Sequence, residues 1–176
     1  MPFPERRFDE LALDFVGTLP LSRGFDTILV MTDRLTDYVK LEPTHSTATA
    51  QDVAELVYVL WYRQFQLPMA ITSDRDKLFT SNFWKELHKR IKVSLRMSTS
   101  FHPETDGSSE RSNKMVIEAL RHYVNLKHMN WADHLIHVEA AMNNSVNATT
   151  GKSLTEMVYG TTLRLFPSPR DLAKPN

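Results

Sequence analysis

Cysteine is absent from the 176 residues of this sequence, so disulfides, thiolate zinc sites and cysteine nucleophiles are excluded. Long apolar runs are absent too, and the longest, such as Ile28–Met31, are far too short to cross a bilayer. The N-terminal stretch MPFPERRFDE lacks the apolar core of a secretory signal. These absences fit an intracellular protein and predict no membrane partner.

An excess of one charge is also lacking, because 21 lysine and arginine side chains balance 21 aspartate and glutamate side chains. Proteins that bind nucleic acid unaided are usually basic, so this total argues against such a protein. The distribution is uneven: residues 73–130 carry 11 basic and 7 acidic side chains, against 6 and 10 in residues 1–72. The middle of the chain therefore forms either a modest positive face for a phosphate backbone or a mixed solvated surface.

Three strand-like segments open the chain, at Leu11–Val16, Thr27–Thr32 and Tyr38–Leu41. The first alternates, with its apolar odd-numbered residues on one face and Asp14 on the other. The second is continuously apolar, as expected of a strand that is buried on both faces. Because the links between the three are short, we expect an antiparallel meander.

Helices and strands alternate after the meander. Thr49 has the side chain of an N-cap for a helix that ends before Pro68. The later segments are a strand at Met69–Thr72, a helix capped by Ser81 or Asn82, a strand at Val93–Met97, a helix from about Ser108 to Leu126, and helices near Trp131 and Thr155. The order β-β-β-α-β-α-β-α-α predicts an α/β fold, with a mixed sheet flanked by helices.

Two local details complete this prediction. Ser22-Arg23-Gly24 and the stretch from Ser98 to Gly107 are rich in turn formers and are expected to be loops. In the long third helix, apolar residues recur at the spacing of a buried face. The residues of that face are Val116, Ala119, Leu120, Tyr123 and Val124.

Three carboxylates occupy positions where charge is unfavourable or where ligands are usually held. Asp14 lies inside a strand, Asp74 follows the fourth strand, and Glu110 lies in the first turn of the third helix. Three carboxylates in one cleft would repel one another unless a cation neutralised them. Oxygen ligands select Mg²⁺ or Mn²⁺, and two such ions can activate a water or hydroxyl for attack on a phosphodiester.

Plainer roles fit the same residues. Asp74 could pair with Arg75, Glu110 could interact only with the helix dipole, and Asp14 could cap a turn. The interval of 35 residues between Asp74 and Glu110 carries little weight by itself. The pattern of acids alone leaves these alternatives open.

A series of short stretches makes the interpretation more specific. They are Leu13–Gly17, Val30–Thr36, Leu67-Pro68, Ser73–Asp76, Phe79–Trp84, Ser98–Gly107, Glu110–Asn113, Asn143–Ser145 and Thr150-Gly151. In this order they resemble the catalytic core of integrases from LTR retrotransposons of the gypsy type, within the retroviral integrase superfamily. The resemblance covers about residues 8–160, nearly the whole chain.

The resemblance implies a ribonuclease-H-like fold with a five-stranded mixed sheet, in agreement with the order of elements. It also implies that Asp14, Asp74 and Glu110 are the catalytic acids and bind two Mg²⁺ (or Mn²⁺) ions. The reaction would be the processing of element DNA 3′ ends and their transfer to target DNA, by in-line phosphoryl transfer. A homodimer or higher oligomer is expected, and the nucleus is implied by the reaction, since no localisation signal is visible.

Further residues acquire DNA-binding roles through the resemblance. They are Lys114, Arg111, Arg121, His102 and Asn113. Lys114 lies one helical turn after Glu110 and should share its face. His102 and Asn113 either orient DNA or water beside the acids, or make ordinary hydrogen bonds of a loop and a helix surface.

The resemblance also divides the chain and indicates what surrounds it. Residues 1–7 are an N-terminal extension, residues 8–160 the catalytic core, and residues 161–176 a C-terminal linker or tail. Full-length integrases of the family carry a zinc-binding N-terminal domain and a C-terminal domain, so the chain resembles a polyprotein fragment or a truncated reading frame. His134 and His137, at i and i+3 on a helix, are expected to be surface histidines and not zinc ligands.

Two other functions stay open at this level. One is a non-catalytic or relic interaction module that acts through dimerisation or partner binding. Trp131, Val138 and Met142 on the fourth helix would supply its contacts, although the same side chains fit core packing. The other is a cellular ribonuclease H, which the long loop between the second and third acids disfavours.

Overall fold

The protein folds around one mixed sheet with helices on both faces. The structure, a computed structural model, describes residues 6–73, 81–91, 100–102, 107–123 and 129–163. The strands are β1 (Glu10–Val16), β2 (Thr27–Asp33), β3 (Val39–Thr44), β4 (Ala70–Ser73) and β5 (Ser100–His102). Their spatial order is β3-β2-β1-β4-β5, so the predicted α/β class is confirmed.

The first three strands form the predicted antiparallel meander. β1 pairs with β2, and β2 pairs with β3, both in antiparallel registers. Every residue of β2 is buried, as its continuous apolar pattern indicates. β4 then adds to the other side of β1 in parallel, as the intervening helical connection requires.

The expected loop from Ser98 to Gly107 is contradicted in part, while the predicted strand at Val93–Met97 stays a prediction. The segment Val93–Met97 lies outside the described residues. The structure instead places the three-residue β5 inside the stretch expected to be a loop, where Thr72 pairs in parallel with His102. Pairing with a neighbouring strand outweighs the turn-rich composition here, because strand formation depends on tertiary context.

One long helical segment connects β3 to β4. It consists of α1 (Ala50–Leu56), a π-helical stretch (Val57–Tyr62) and the short α2 (Arg63–Phe65). The predicted cap is confirmed: the Thr49 hydroxyl accepts from the Asp52 amide, and the Asp52 carboxylate accepts from the Thr49 amide. The segment ends where Gln66 adopts a positive φ of 70°, two residues before Pro68.

Replacing the cap with Thr49→Ala should lower the free energy of unfolding by about 1 kcal/mol at pH 7. Hydrogen bonds from the backbone and side chain of Thr49 lower the pKa of Asp52 below its usual 3.8. The stability that this carboxylate contributes is therefore present above that value and is lost as the pH falls through the lowered pKa. Urea titrations at pH 7 and pH 2.5 should show the cost of Thr49→Ala shrinking at acid pH. The exposed Thr47→Ala variant should change little at either pH.

The remaining helices are α3 (Ser81–Ile91), α4 (Gly107–Tyr123), α5 (Trp131–Asn144) and α6 (Leu154–Tyr159). The N-terminus of α5 is capped from a distance by the predicted turn after β1. Ser22 Oγ accepts from the Ala132 amide, and the Trp131 indole donates to the carbonyl of Pro20. These bonds fix α5 against the β1–β2 connection.

Each face of the sheet carries its own core. One core contains the odd-numbered residues of β1 and packs under α1, the π-helical stretch and α3. It comprises Leu11, Leu13, Phe15, Leu29, Met31, Val53, Ala54, Val57, Trp61, Ile71, Phe83 and Leu87. The other packs under α4 and α5 and comprises Ile28, Val30, Val39, Leu41, Val116, Leu120, Trp131, Leu135, Val138 and Met142. Trp131, Val138 and Met142 are therefore buried core residues, so the packing role expected for them is confirmed and their use as dimer contacts is not supported.

The predicted buried face of α4 is correct in part. Val116 and Leu120 are buried and Ala119 packs beside them. Tyr123 is 43% exposed, contrary to the prediction, and Val124 lies outside the described residues. The Tyr123 ring stacks on the imidazoles of His134 and His137 at the protein surface, which explains why helical spacing alone misplaced it.

Within the described ranges, no helix has both the length and the apolar character that a bilayer crossing requires.

Candidate active site

Asp14 lies near the centre of the sheet. It sits on β1, the middle strand, in register with Val30 of β2. Its side chain is half-buried, and Oδ1 accepts a hydrogen bond of 2.7 Å from the Phe15 amide. Placing a carboxylate among apolar strands at the middle of a sheet costs free energy, and the packing of the sheet does not require it.

A hydrogen bond joins this carboxylate to α4. Asn113 Nδ2 donates to Asp14 Oδ2, which places the first half of α4 beside β1. Asn113 Oδ1 is buried and has no hydrogen-bond partner among the described residues. A buried amide oxygen of this kind normally has a donor, such as a bound water. Asn113 therefore contacts one of the candidate acids directly.

The structure describes less of the other two predicted acids, Asp74 and Glu110. The backbone of Glu110 lies in α4, one helical turn before Asn113, so the two residues share a face of the helix. Asp74 lies outside the described residues, and so does the side chain of Glu110. Asp14 follows Leu13 in the chain and Asp74 follows Ser73, and the parallel register pairs Leu13 with Ser73.

The predicted DNA-binding residues lie on β5 and α4. The Lys114 side chain is 78% exposed, with its Nζ 4.0 Å from the carboxylate of Glu118. Arg121 is exposed near the end of the same helix. His102 lies on β5 and Arg111 on α4, and their side chains are outside the described part of the structure. All five candidates therefore lie on α4, which contacts β1, or on β5, which pairs with β4.

Asp33 is a buried carboxylate whose role the sequence motif did not reveal. Its two oxygens accept from the Phe8 amide at 2.8 Å, the Thr36 amide at 3.1 Å and the Thr36 hydroxyl at 2.6 Å. These bonds close the β2–β3 turn and attach the segment before β1. The spacing Asp-x-x-Thr is the pattern of a side-chain-capped turn and was the available clue. Asp33 pairs with Leu11, near the start of β1 and three residues before Asp14.

The described residues test the metal predictions only in part. They contain no group of three or more histidine, aspartate or glutamate side chains able to hold a metal ion. Of the predicted triad, however, only the Asp14 side chain is described. His134 and His137 lie 6.2 Å apart between ring centroids, and no third ligand joins them in the part of the chain that is described.

Comparison with known proteins shows that the chain is similar to transposon polyproteins. It is 30% identical over 167 residues, or 95% of its length, to the transposon Tf2-3 and Tf2-4 polyproteins of Schizosaccharomyces pombe. The chain spans 12% of the length of these polyproteins. No protein-family profile matches it.

Solved structures share its fold. The catalytic core domain of the HTLV-2 integrase, in complex with magnesium, aligns with 85% of this chain and 95% of its own, with a TM-score of 0.61 and 14% identity. A simian T-cell lymphotropic virus intasome, in complex with the PP2A regulatory subunit B56 gamma, aligns over 96% of this chain and 59% of its own, with a TM-score of 0.67 and 15% identity. The ribonuclease-H-like fold and the resemblance indicated by the motifs are thereby confirmed.

Proposed function

Since this chain is a homologue of retrotransposon polyproteins and has the fold of retroviral integrase catalytic cores, we propose that it is a metal-dependent polynucleotidyl transferase core. It would process the 3′ ends of element DNA and join them to target DNA. The observation that carries the proposal is the hydrogen bond from Asn113 to Asp14, because it holds the helix of Glu110 against the strand of Asp14.

Asp14, Asp74 and Glu110 are proposed as the residues that hold two Mg²⁺ (or Mn²⁺) ions. The donor set fits, because three carboxylates supply the hard oxygen ligands that these ions prefer. The parallel register supports it too, since Asp14 and Asp74 each follow a residue of the pair Leu13–Ser73. When bound, the ions would activate the attacking hydroxyl and stabilise the leaving oxygen of the phosphodiester.

The first role of the chain's own residues is to orient the Asp14 carboxylate. Asn113 Nδ2 fixes one oxygen of Asp14, and the Phe15 amide fixes the other, so the carboxylate is held in one rotamer. A carboxylate that is already oriented loses less side-chain freedom when it takes up a ligand. Lys114 and Arg121 on the exposed side of α4, together with Arg111 and His102, would contact the DNA backbone near the reacting phosphate.

The partners follow from the same proposal. Element ends and target DNA would be the substrates, in the nucleus where target DNA lies. The HTLV-2 core occurs in dimeric and trimeric forms, which supports a homo-oligomer for this chain as well. Zinc-binding and C-terminal domains of a full-length integrase would be further partners. DNA binding by this segment should be weak and sensitive to salt, because it depends on a small number of contacts with phosphates.

Disintegration of a branched DNA substrate, the reverse of strand transfer, tests the proposal. The expected result is resolution of the branch with Mg²⁺ or Mn²⁺ and none with EDTA. Calorimetry with Mn²⁺ on the same preparation reports metal binding separately. A folded protein that neither binds Mn²⁺ nor resolves the branch would contradict the proposal and favour the interaction module.

Asn113→Ala should reduce the rate of disintegration about 10- to 100-fold, because residues that orient metal ligands typically have effects of this size. The midpoint of the Mg²⁺ dependence should move to higher concentration, a change that loss of helix stability alone would not produce. Met115→Ala, at an exposed position of the same helix, is the matched control. An unchanged Mg²⁺ midpoint in Asn113→Ala would show that the hydrogen bond to Asp14 does not orient a ligand.

A further inference from the structure

β3 is an edge strand of the sheet, yet its free edge offers almost no backbone donors. In an antiparallel strand, alternate residues direct their N–H and C=O groups to opposite sides. Asp33 N–H donates to the Tyr38 carbonyl across the β2–β3 turn, and Val39 and Leu41 bond away from β2. The outward-facing positions of β3 are therefore residues 39, 41 and 43.

Asn143 of α5 occupies the first of these positions. Its Oδ1 accepts from the Val39 amide at 3.0 Å, and its Nδ2 donates to the Val39 carbonyl at 2.8 Å. This is the pair of bonds that a residue of a neighbouring strand would form. Asn143 is only 3% exposed, so both bonds are shielded from water.

Glu139, one turn earlier on α5, occupies the second position. Its Oε2 accepts from the Leu41 amide at 2.8 Å, and its Oε1 lies 3.1 Å from Lys40 Nζ. The third outward position is Pro43, which has no N–H to donate. Of the three outward positions, Val39 and Leu41 have their N–H groups bonded to α5, and Pro43 has no N–H group.

We propose that Asn143 and Glu139 act as a surrogate strand that closes the β3 edge against strand addition by a second copy of this chain. Exposed edges of this kind pair with other chains unless a protein blocks them. The proposal gives a role to Asn143, which belongs to a sequence motif that the catalytic proposal leaves unexplained. It is independent of the proposed transferase activity.

The Glu139 carboxylate also interacts electrostatically with Glu42 of β3. Burial, and then the proximity of Glu139, raises the pKa of the Glu42 carboxyl on β3. Lys40 is the cation that faces Glu139 from the strand. The positive charge of Lys40 offsets the repulsion between the carboxylates of Glu139 and Glu42. It therefore favours the hydrogen bond from the Leu41 amide to Glu139.

Residue-resolved amide exchange tests the two positions separately. In Asn143→Leu, the Val39 amide should exchange at least tenfold faster than in the unmodified protein, while the Leu41 amide stays protected. Asn143→Asp keeps the acceptor for the Val39 amide but loses the donor to the Val39 carbonyl, so the Val39 amide should exchange more slowly than in Asn143→Leu and faster than in the unmodified protein. In Glu139→Leu the Leu41 amide should become fast, and in Glu139→Gln it should stay slow.

Self-association tests whether Asn143 and Glu139 block strand addition at the β3 edge. The double variant Asn143→Leu, Glu139→Leu should show a molar mass by light scattering that rises with concentration above that of the unmodified protein. Val138→Ala serves as a stability control, because it removes a fully buried side chain of α5 and leaves the edge bonds in place. Asn144→Leu is a second control, since Asn144 Nδ2 donates to the Ala140 carbonyl of its own helix and makes no bond to β3 among the described residues.

Two results would overturn the proposal. One is a double variant whose molar mass never exceeds that of Val138→Ala, even though the Val39 and Leu41 amides exchange faster. Asn143 and Glu139 would then only anchor α5. The other is unchanged protection of the Val39 amide in Asn143→Leu. If the double variant does not fold, the two single leucine variants carry the same mass measurement.

Discussion

Asp14→Asn is expected to reduce metal-dependent disintegration by a factor on the order of 10³, because it removes several kcal/mol of charge stabilisation and each 1.36 kcal/mol is tenfold in rate. The substitution conserves shape, and the new amide oxygen can still accept from Asn113 Nδ2. The new amide nitrogen cannot accept from the Phe15 amide, so a small fall in melting temperature is expected, less than at the fully buried Asp33. Rates on branched DNA and thermal denaturation of the same preparations measure both quantities.

Asp33→Asn is the matched control for that substitution. Asp33 is fully buried, and it accepts three hydrogen bonds from Phe8 and Thr36, none of which involves Asp14. Its replacement should lower the melting temperature, because an amide nitrogen cannot accept from the donors that its carboxylate oxygens serve. The rate per folded molecule should persist. Full activity in Asp14→Asn, or loss of chemistry without loss of stability in Asp33→Asn, would contradict the assignment of the two carboxylates.

Trp61→Ala is expected to lower the free energy of unfolding by about 3–5 kcal/mol, as truncation of a buried aromatic side chain usually does. Trp61 is completely buried under the sheet and lies in edge contact with the rings of Phe8 and Phe65, at 5.9 Å and 4.9 Å between centroids. The corresponding fall in melting temperature is on the order of 10 °C for a domain of this size. Denaturant titration and calorimetry measure the loss.

Trp61→Phe separates ring packing from the indole N–H. Trp61 Nε1 is buried without a hydrogen-bond partner among the described residues, so its removal relieves an unfavourable buried donor. The phenylalanine variant should therefore lose much less stability than the alanine variant. Ile136→Ala, at a position that is 71% exposed, should stay within about 0.5 kcal/mol of the unmodified protein. Equal losses in the alanine and phenylalanine variants would show that the packing argument is wrong.

Much of the fold was predictable from short-range pattern. The alternation over β1, the continuous apolar run of β2 and the cap at Thr49 all correspond to observed elements. These features depend on residues within one or two turns of each other, so their physical basis is present in the sequence. The resemblance to integrase cores rests on the order of such segments, and the relatives and the shared fold confirm it.

The features that were missed depend on distant partners. Tyr123 has the spacing of a buried residue, but the imidazoles of α5 hold its ring at the surface. β5 exists because β4 is available for pairing, although its own residues favour a turn. The roles of Asp33 and Asn143 follow from backbone groups 25 and 104 residues away in the chain, respectively.

The candidate site divides in the same way. Residue types and local motifs determined which carboxylates are candidates, because metal chemistry requires oxygen ligands and the motifs surround each acid. Only the tertiary structure decided that Asn113 reaches Asp14 across 99 residues of chain, and that Asp33 serves a turn. The reason is that local conformation depends on neighbouring side chains and backbone sterics. The partners of a buried polar group depend instead on strand register and helix packing, which emerge only when the whole sheet assembles.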